Sequence, residues 1–131
     1  MSVVYGLDFP KISELLVWPD IWGLRPAFRD MGKRLAAEGY AVLTVNQFYR
    51  DVKSPIILKG DNPRSAENFA IVRGYAAKLT PDKVAMDAKA FLAFLDKQKP
   101  VSRKRKMGVT GYCMGGPLVV RAAAAVPQRV G

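Results

Sequence analysis

The sequence predicts an α/β fold in which helices cover both faces of a parallel sheet. Short apolar runs alternate with amphipathic helical patterns along the chain, and one of these runs is apolar on both faces, which is typical of a strand buried on both sides. The chain has 131 residues, of which 50% are hydrophobic, enough for the core of one domain. We therefore expect a single domain over residues 1–131.

Two apolar runs and the segment between them predict the first β-α-β unit. Glu14–Trp18 is a short apolar run that stops at Pro19, as a buried strand entering a loop would. The helix that follows has Pro26 in its first turn, apolar side chains at helical spacing and Gly39 as a C-cap residue. Tyr40–Val45 is rich in β-branched residues and predicts the second strand.

A long loop and two helices are predicted next. Residues 46–64 contain proline, glycine and scattered charges, which indicates a long loop of the kind that often lines a functional site. One helical face then carries the apolar residues Phe69, Val72, Ala76 and Leu79. A further helix opens with Thr80 as N-cap and Pro81 in its first turn, and its apolar stripe runs from Val84 to Leu95.

The last predicted strand and helix flank the motif "GYCMGG". Lys106–Gly111 predicts the strand, and the Ala/Val-rich run from Gly115 to about Val126 predicts the helix. A strand, Gly-x-Cys-x-Gly-Gly and a helix are the context that a nucleophile elbow requires. The turn is too tight for side chains at Gly111 and Gly115, and it would hold Cys113 in a strained conformation at the helix N-terminus, where free amides favour an anion.

Two motifs, "GYCMGG" at 111–116 and "VWPDIWGLRPAFRDMGKRLAAEGYAVLTVNQFYR" at 17–50, make this sequence similar to the dienelactone hydrolases, a cysteine-nucleophile branch of the α/β-hydrolase fold. The resemblance runs from about Leu15 to Gly131. It implies a three-layer α/β sandwich, here a partial domain truncated before the C-terminal strands. It also implies that a small lactone or carboxylic ester, such as a carboxymethylenebutenolide, is hydrolysed through a thioester, without a metal or an organic cofactor.

The resemblance implies a role for each matching residue. Cys113 matches the nucleophile, and the backbone amides of Met114 and Ile21 match the two oxyanion-hole donors. Asp20 lies where many members carry the Glu of a Glu-Ile-Phe-Gly motif, a carboxylate that contacts the resting thiol or the substrate; here the motif is "DIWG", one methylene shorter. The elbow glycines are Gly111, Gly115 and Gly116.

The same resemblance implies that catalytic groups are missing. Family members place a triad Asp and His on loops after the elbow's helix, whereas this chain contains no histidine and resembles the front half of a domain. We therefore expect the chain alone to be nearly inactive. With three predicted strands, the strand at Lys106–Gly111 has an unpaired edge, which predicts self-association.

Charge and composition bear on partners and location. The formal charge of +10 would suit nucleic acid or an anionic membrane, but the basic run "SRKRK" at 102–106 lies in a connector without interleaved aromatic residues. We therefore expect no specific nucleic-acid partner. No apolar segment approaches the roughly 20 residues that span a bilayer, so we expect no membrane partner. One cysteine and no histidine predict no disulfide, no metal site and a reducing compartment, most simply the cytoplasm.

Two other classes of function are open on the sequence alone. One is a non-catalytic binding or regulatory protein that keeps the pocket but not the triad. The other is a redox-responsive thiol protein, because a cysteine at a helix start can be oxidised to a sulfenate. For Arg25 and Arg50, which flank the predicted site loops, solvated surface is favoured over contact with an anionic substrate.

Overall fold

The computed structural model describes residues 2–5, 13–98, 101 and 104–131. Within these ranges the strands are β1 (Ser2–Tyr5), β2 (Ser13–Trp18), β3 (Tyr40–Thr44) and β4 (Gly108–Gly111). The helices are α1 (Pro26–Ala37), α2 (Ala66–Ala77), α3 (Pro81–Asp96) and α4 (Gly115–Ala125). Part of the basic run, Ser102 and Arg103, lies outside the described residues.

The predicted parallel sheet is confirmed. The described strands form one sheet in the order β1-β3-β2-β4, and β2 is parallel to both of its neighbours. The register pairs Leu15 with Val42 on one side of β2 and Trp18 with Gly111 on the other. Because β2 and β4 end level with each other, the loop after β2 and the turn after β4 leave the sheet side by side.

A fourth strand was missing from the three-strand prediction. β1 pairs antiparallel with the outer edge of β3, where Ser2 lies opposite Thr44 and Tyr5 opposite Ala41. A run of four residues is too short to show a period of two residues, and its place is set by a partner about forty residues away in the sequence. The sheet is therefore mixed at this edge and parallel around β2.

Helices cover both faces of the sheet, as the sequence predicts. Successive residues of β2 point to opposite faces, so Leu16 and Trp18 pack in one apolar cluster and Val17 in the other. The first cluster includes residues of α3 and α4: Val84, Ala88, Phe91, Leu92, Leu95, Leu118 and Ala122. The second includes Leu24 and residues of α1 and β3: Phe28, Ala36 and Val42. This is a three-layer α/β arrangement.

The helix boundaries follow the predicted local signals. The Thr80 hydroxyl accepts a hydrogen bond from the Lys83 amide at the start of α3. Pro26 and Pro81 occupy the first turns of α1 and α3. Gly39 follows α1 with φ of 95° and donates its amide to the Ala36 carbonyl. Local side-chain chemistry is therefore sufficient to place these ends.

On the outer side of β4, only the residue before the strand is paired with another segment. Met107, just before β4, forms a parallel bridge with Val130. Its amide donates to the Arg129 carbonyl at 2.6 Å, and its carbonyl accepts from the Gly131 amide at 3.2 Å. Within the described residues no strand pairs with Gly108–Gly111 on that side. Self-association through this edge stays a prediction.

Candidate functional site

The turn between β4 and α4 holds Cys113 in a left-handed backbone conformation. Its φ is 54°, and it is the only non-glycine residue with positive φ in the part of the chain that the structure describes. A cysteine in this region costs roughly 1 to 2 kcal/mol, so the surrounding structure must impose the conformation. The thiol is exposed. The residue that the sequence singles out as a nucleophile is therefore strained and reachable from solvent.

Two of the three predicted elbow glycines are required by close backbone packing. A Cβ at Gly111 would lie 2.5 Å from the Gly115 carbonyl oxygen. A Cβ at Gly115 would lie 2.5 Å from the carbonyl oxygen of Trp18 and 2.7 Å from that of Pro19. Nothing lies within 4 Å of a Cβ built at Gly116. The first turn of α4 therefore rests directly on the backbone that leaves β2.

The loop after β2 is a compact turn beside the elbow. The Gly23 amide donates to the Asp20 carbonyl at 3.0 Å, and the Trp22 amide donates to the Asp20 carboxylate at 2.9 Å. The Tyr112 amide donates to the Trp18 carbonyl at 3.2 Å and ties the elbow to the end of β2. The structure thus brings Asp20, Ile21 and the elbow to one end of the sheet.

The Asp20 carboxylate is bound by Arg25 rather than by the thiol. Arg25 donates to both carboxylate oxygens, at 2.7 and 2.8 Å, and its guanidinium lies 5.0 Å from the centre of the Phe28 ring. No hydrogen bond joins Asp20 to Cys113 within the described ranges. Arg25 is therefore a partly exposed ion-pair partner of Asp20, with 33% of its side chain exposed. Whether it meets only solvent or an anionic substrate stays open. The contact between Asp20 and the thiol stays a prediction.

Within the described residues, the Ile21 and Met114 amides at this end of the sheet carry no hydrogen bond. The amides that follow them, Trp22 and Gly115, do have acceptors, whereas those that precede them, Asp20 and Cys113, have none in the described part. Unpaired amides next to an exposed nucleophile can stabilise an oxygen that gains negative charge. The family resemblance implies that these two amides are the oxyanion-hole donors, and this role stays a prediction.

Gln47 is a residue of this site that the sequence analysis missed. Its side chain is fully buried just after β3, and its Nε2 donates to the Asp20 carbonyl at 2.8 Å and to the Pro19 carbonyl at 3.3 Å. Its Oε1 has no partner among the described residues. A polar residue at the carboxyl end of a buried strand was the available signal, since ligands of parallel sheets bind at that end.

Arg50 belongs to a second polar group, centred on the buried Asp87 of α3. Arg50 donates to both Asp87 oxygens at 2.7 Å, and the Tyr49 hydroxyl donates to the same carboxylate at 2.8 Å. Burial, with the Asp87 hydrogen bond and charge, raises the pKa of Tyr49. Arg50 is exposed, as the favoured prediction of a surface residue has it, and its guanidinium is also ion-paired with the buried Asp87. Asp87 falls on the apolar stripe of α3, which was the signal for a buried partner.

A cavity of about 230 Å³ adjoins the loop after β2. Trp22 and Arg25 line it on one side, and the long loop supplies the other wall with Pro55, Ile56, Leu58, Pro63 and Arg64. Trp22 also packs edge-on against Phe69 of α2, with ring centres 4.9 Å apart. The predicted long loop therefore lines a space beside the loop after β2.

Metal-ligand clusters and membrane-spanning helices are both absent from the described residues. No group of three His, Cys, Asp or Glu side chains there is placed to hold a metal ion. None of the helices in that part is both long and apolar enough to cross a membrane.

Comparison with known proteins gives consistent matches. The model of the "Dienelactone hydrolase family" matches residues 2–131. A "Putative carboxymethylenebutenolidase" of Salmonella typhi is 26% identical over 124 residues, which are 91% of this chain and 42% of that protein. A second "Putative carboxymethylenebutenolidase", from Methylorubrum extorquens, is 30% identical over 122 residues, which are 93% of this chain and 38% of that protein.

A lactonase and a solved structure add to these matches. A "Probable 2-oxo-3-(5-oxofuran-2-ylidene)propanoate lactonase" of Bradyrhizobium sp is 25% identical over 120 residues, 92% of this chain and 44% of that protein. The solved structure "m3DLH" superposes with a TM-score of 0.66 at 27% identity, covering 89% of this chain and 44% of that one. The chain therefore spans about two fifths of the length of the curated relatives it matches.

Proposed function

This chain belongs to the dienelactone hydrolase family, and we propose that it carries the acylation half of a site that opens small lactones or carboxylic esters through a thioester on Cys113. One observation carries the proposal. An exposed cysteine with φ of 54° lies in one of two adjacent turns, each of which has an amide without an acceptor among the described residues. The curated relatives named for lactone chemistry support the substrate class.

The proposed reaction uses the thiolate of Cys113. It attacks the carbonyl carbon, and the carbonyl oxygen becomes an oxyanion that accepts hydrogen bonds from Ile21 N–H and Met114 N–H. When the oxyanion collapses, the ring or ester C–O bond breaks, and the alkoxide leaves with a proton taken from solvent. In a lactone that alkoxide remains part of the same acyl chain. Water then attacks the thioester and restores the thiol.

The 131 residues supply no histidine to act as base in either step. Proteases that lose their triad keep a rate about 10³ to 10⁴ times that in water, from oxyanion stabilisation and binding. A cysteine nucleophile loses the least rate when its base is absent, because a few per cent of the cysteine is already thiolate near neutral pH. We therefore expect slow acylation of this chain by an activated ester, and turnover slower still.

Acylation by p-nitrophenyl acetate tests the proposal. The purified chain should release one equivalent of p-nitrophenolate and gain one acetyl group, which peptide mapping should place on Cys113. The same chain unfolded in urea is the matched control, because it offers the same thiol without the oxyanion donors. Donors of this kind are each worth about 10²-fold or more in rate, so the folded chain should react at least about ten times faster.

Two results would contradict the proposal. One is a folded chain whose acylation is no faster than that of the unfolded chain. The other is a Cys113→Ala variant that still gains the acetyl group. A folded chain that binds a lactone but is not acylated by any ester would favour the binding-protein alternative instead.

A further inference from the structure

We propose that Gln47 is a positioning residue for the oxyanion hole, whose buried carboxamide fixes the peptide group that carries the Ile21 N–H. This inference rests on the proposed function, because it assigns a role to Ile21 N–H in acyl transfer. Gln47 itself does not touch the reacting atoms: its Nε2 lies 2.8 Å from the Asp20 carbonyl oxygen. It acts through the loop after β2.

The argument starts from the geometry of one peptide bond. The Asp20 carbonyl and the Ile21 N–H belong to the same planar trans peptide group, so they point in opposite directions. A donor that holds the carbonyl oxygen therefore also sets the direction of the N–H. Gln47 Nε2 holds this oxygen from one side, and the Gly23 amide holds it from within the turn at 3.0 Å.

The second contact of Gln47 extends this control to the preceding peptide. Its Nε2 also donates to the Pro19 carbonyl at 3.3 Å, for which the described residues offer no other donor. The carbonyls of Pro19 and Asp20 thus both face the Gln47 side chain. The Ile21 N–H, which is trans to the Asp20 carbonyl, is turned away from it. A single rotation of this loop would break both hydrogen bonds together.

Gln47 is itself held by the sheet. Its side chain is 1% exposed, and the β3 backbone next to it stays paired to β2, since the Val45 amide donates to the Val17 carbonyl at 3.2 Å. In the part of the chain that the structure describes, the Gln47 Oε1 has no hydrogen-bond partner. A buried amide with an unmatched oxygen carries a desolvation cost that an apolar side chain of equal size would avoid. The two donated hydrogen bonds are the visible reason for an amide at this position.

The test compares two reactions of the same thiol in the full 131-residue chain. Acylation by p-nitrophenyl acetate builds an oxyanion, whereas alkylation by iodoacetamide displaces iodide at a saturated carbon and builds none. The ratio of the two rates cancels changes in thiol exposure and ionisation. If the loop no longer directs the Ile21 N–H at the oxyanion, the acylation rate falls and the alkylation rate does not.

Gln47→Met keeps the side-chain length and removes the donors. We expect it to lower the ratio of acylation to alkylation by about ten-fold, less than the 10²- to 10³-fold that loss of a whole oxyanion donor costs. Gln128→Met, the same substitution at an exposed site, is the matched control and should leave the ratio unchanged. An unchanged ratio in folded Gln47→Met, or an equal fall in both rates, overturns the inference.

Gln47→Glu provides a second readout that does not depend on the first variant folding. A protonated carboxyl can donate to the Asp20 carbonyl, and a carboxylate cannot. The ratio should therefore recover as the pH falls through the titration of the new carboxyl, while the wild-type ratio stays flat. A flat profile in the variant contradicts the role.

The results separate this inference from the proposed function. If the folded wild-type chain acylates no faster than its unfolded form, the proposed function fails and the role of Gln47 fails with it. If the wild-type chain shows the enhanced acylation and both Gln47 variants match it, the role of Gln47 alone is wrong.

Discussion

The packing of α4 on the loop after β2 can be tested with two adjacent glycines. Gly115 and Gly116 both lie in the first turn of α4. A Cβ at Gly115 would lie 2.5 and 2.7 Å from two backbone carbonyl oxygens, whereas a Cβ at Gly116 would have no neighbour within 4 Å. The substitutions Gly115→Ala and Gly116→Ala therefore add the same methyl group to the same helix turn in opposite environments.

The distances set the expected magnitudes. Backbone atoms cannot rotate away as a side chain can, so the start of α4 must move from the loop by at least about 0.5 Å to reach 3.0 Å. Forced overpacking of this kind costs about 1 to 3 kcal/mol of unfolding free energy. Gly116→Ala should instead stabilise the helix by about 0.5 to 1 kcal/mol. The two variants should differ by roughly 1.5 to 4 kcal/mol.

Urea unfolding followed by circular dichroism measures this difference, provided that the two variants share one slope against urea. The acylation assay supplies a second readout. Movement of α4 displaces the Met114 N–H, so Gly115→Ala should also slow acylation relative to alkylation, and Gly116→Ala should not. Equal unfolding free energies for the two variants would refute the close packing of Gly115 on the Trp18 and Pro19 carbonyls.

Three further predictions concern other parts of the chain. Burial, reinforced by the Asp96 carboxylate and opposed by Arg129, raises the pKa of Glu14 from 4.5 to about 7. Between these pH values the folded state keeps a proton that the unfolded chain loses. The unfolding free energy should therefore fall by up to about 3 kcal/mol as the pH rises from about 4.5 to about 7. In urea titrations at several pH values, Glu14→Gln should flatten this fall, and an unchanged dependence on pH would mean that other groups cause it. Asp87→Asn leaves the Arg50 guanidinium without its carboxylate and should cost about 1 to 3 kcal/mol in urea unfolding, whereas the exposed Asp82→Asn should cost less than about 0.5 kcal/mol. Cys113→Gly should be more stable than Cys113→Ala by about 1 kcal/mol in the same assay, because only glycine adopts φ of 54° without strain; equal stabilities would mean that the turn relaxes.

Features set by neighbouring residues could be predicted from the sequence. The ends of α1 and α3 follow from prolines in the first turn, the Thr80 cap and Gly39, all of which act within one helical turn. The elbow is equally local, since its glycines and Cys113 lie within six residues. The parallel strands around β2 follow from their apolar runs and from the helices between them.

Features set by distant partners could not be predicted. Gln47 meets the Asp20 carbonyl across 27 residues and Arg50 meets Asp87 across 37, and no local pattern encodes either pairing. β1 is four residues long and is identified only by its register with β3. Arg25 and Asp20 are five residues apart in a loop without regular periodicity, so their ion pair depends on the turn that the structure shows.

Backbone contacts hold the elbow and the loop after β2 in place, whereas side chains must supply the acid–base groups of the site. The elbow and the loop after β2 meet through backbone atoms: Tyr112 N–H donates to the Trp18 carbonyl, and Gly115 packs on the same oxygen. These contacts require parallel β2 and β4 and a glycine at position 115, because a Cβ there would lie 2.5 Å from the Trp18 oxygen. Deprotonating the thiol and activating water instead require a titratable side chain, and the 131 residues contain no histidine. Variants of the loop and elbow should therefore change the ratio of acylation to alkylation, whereas added imidazole, as an external base, should accelerate both acylation and thioester hydrolysis without altering the folded state.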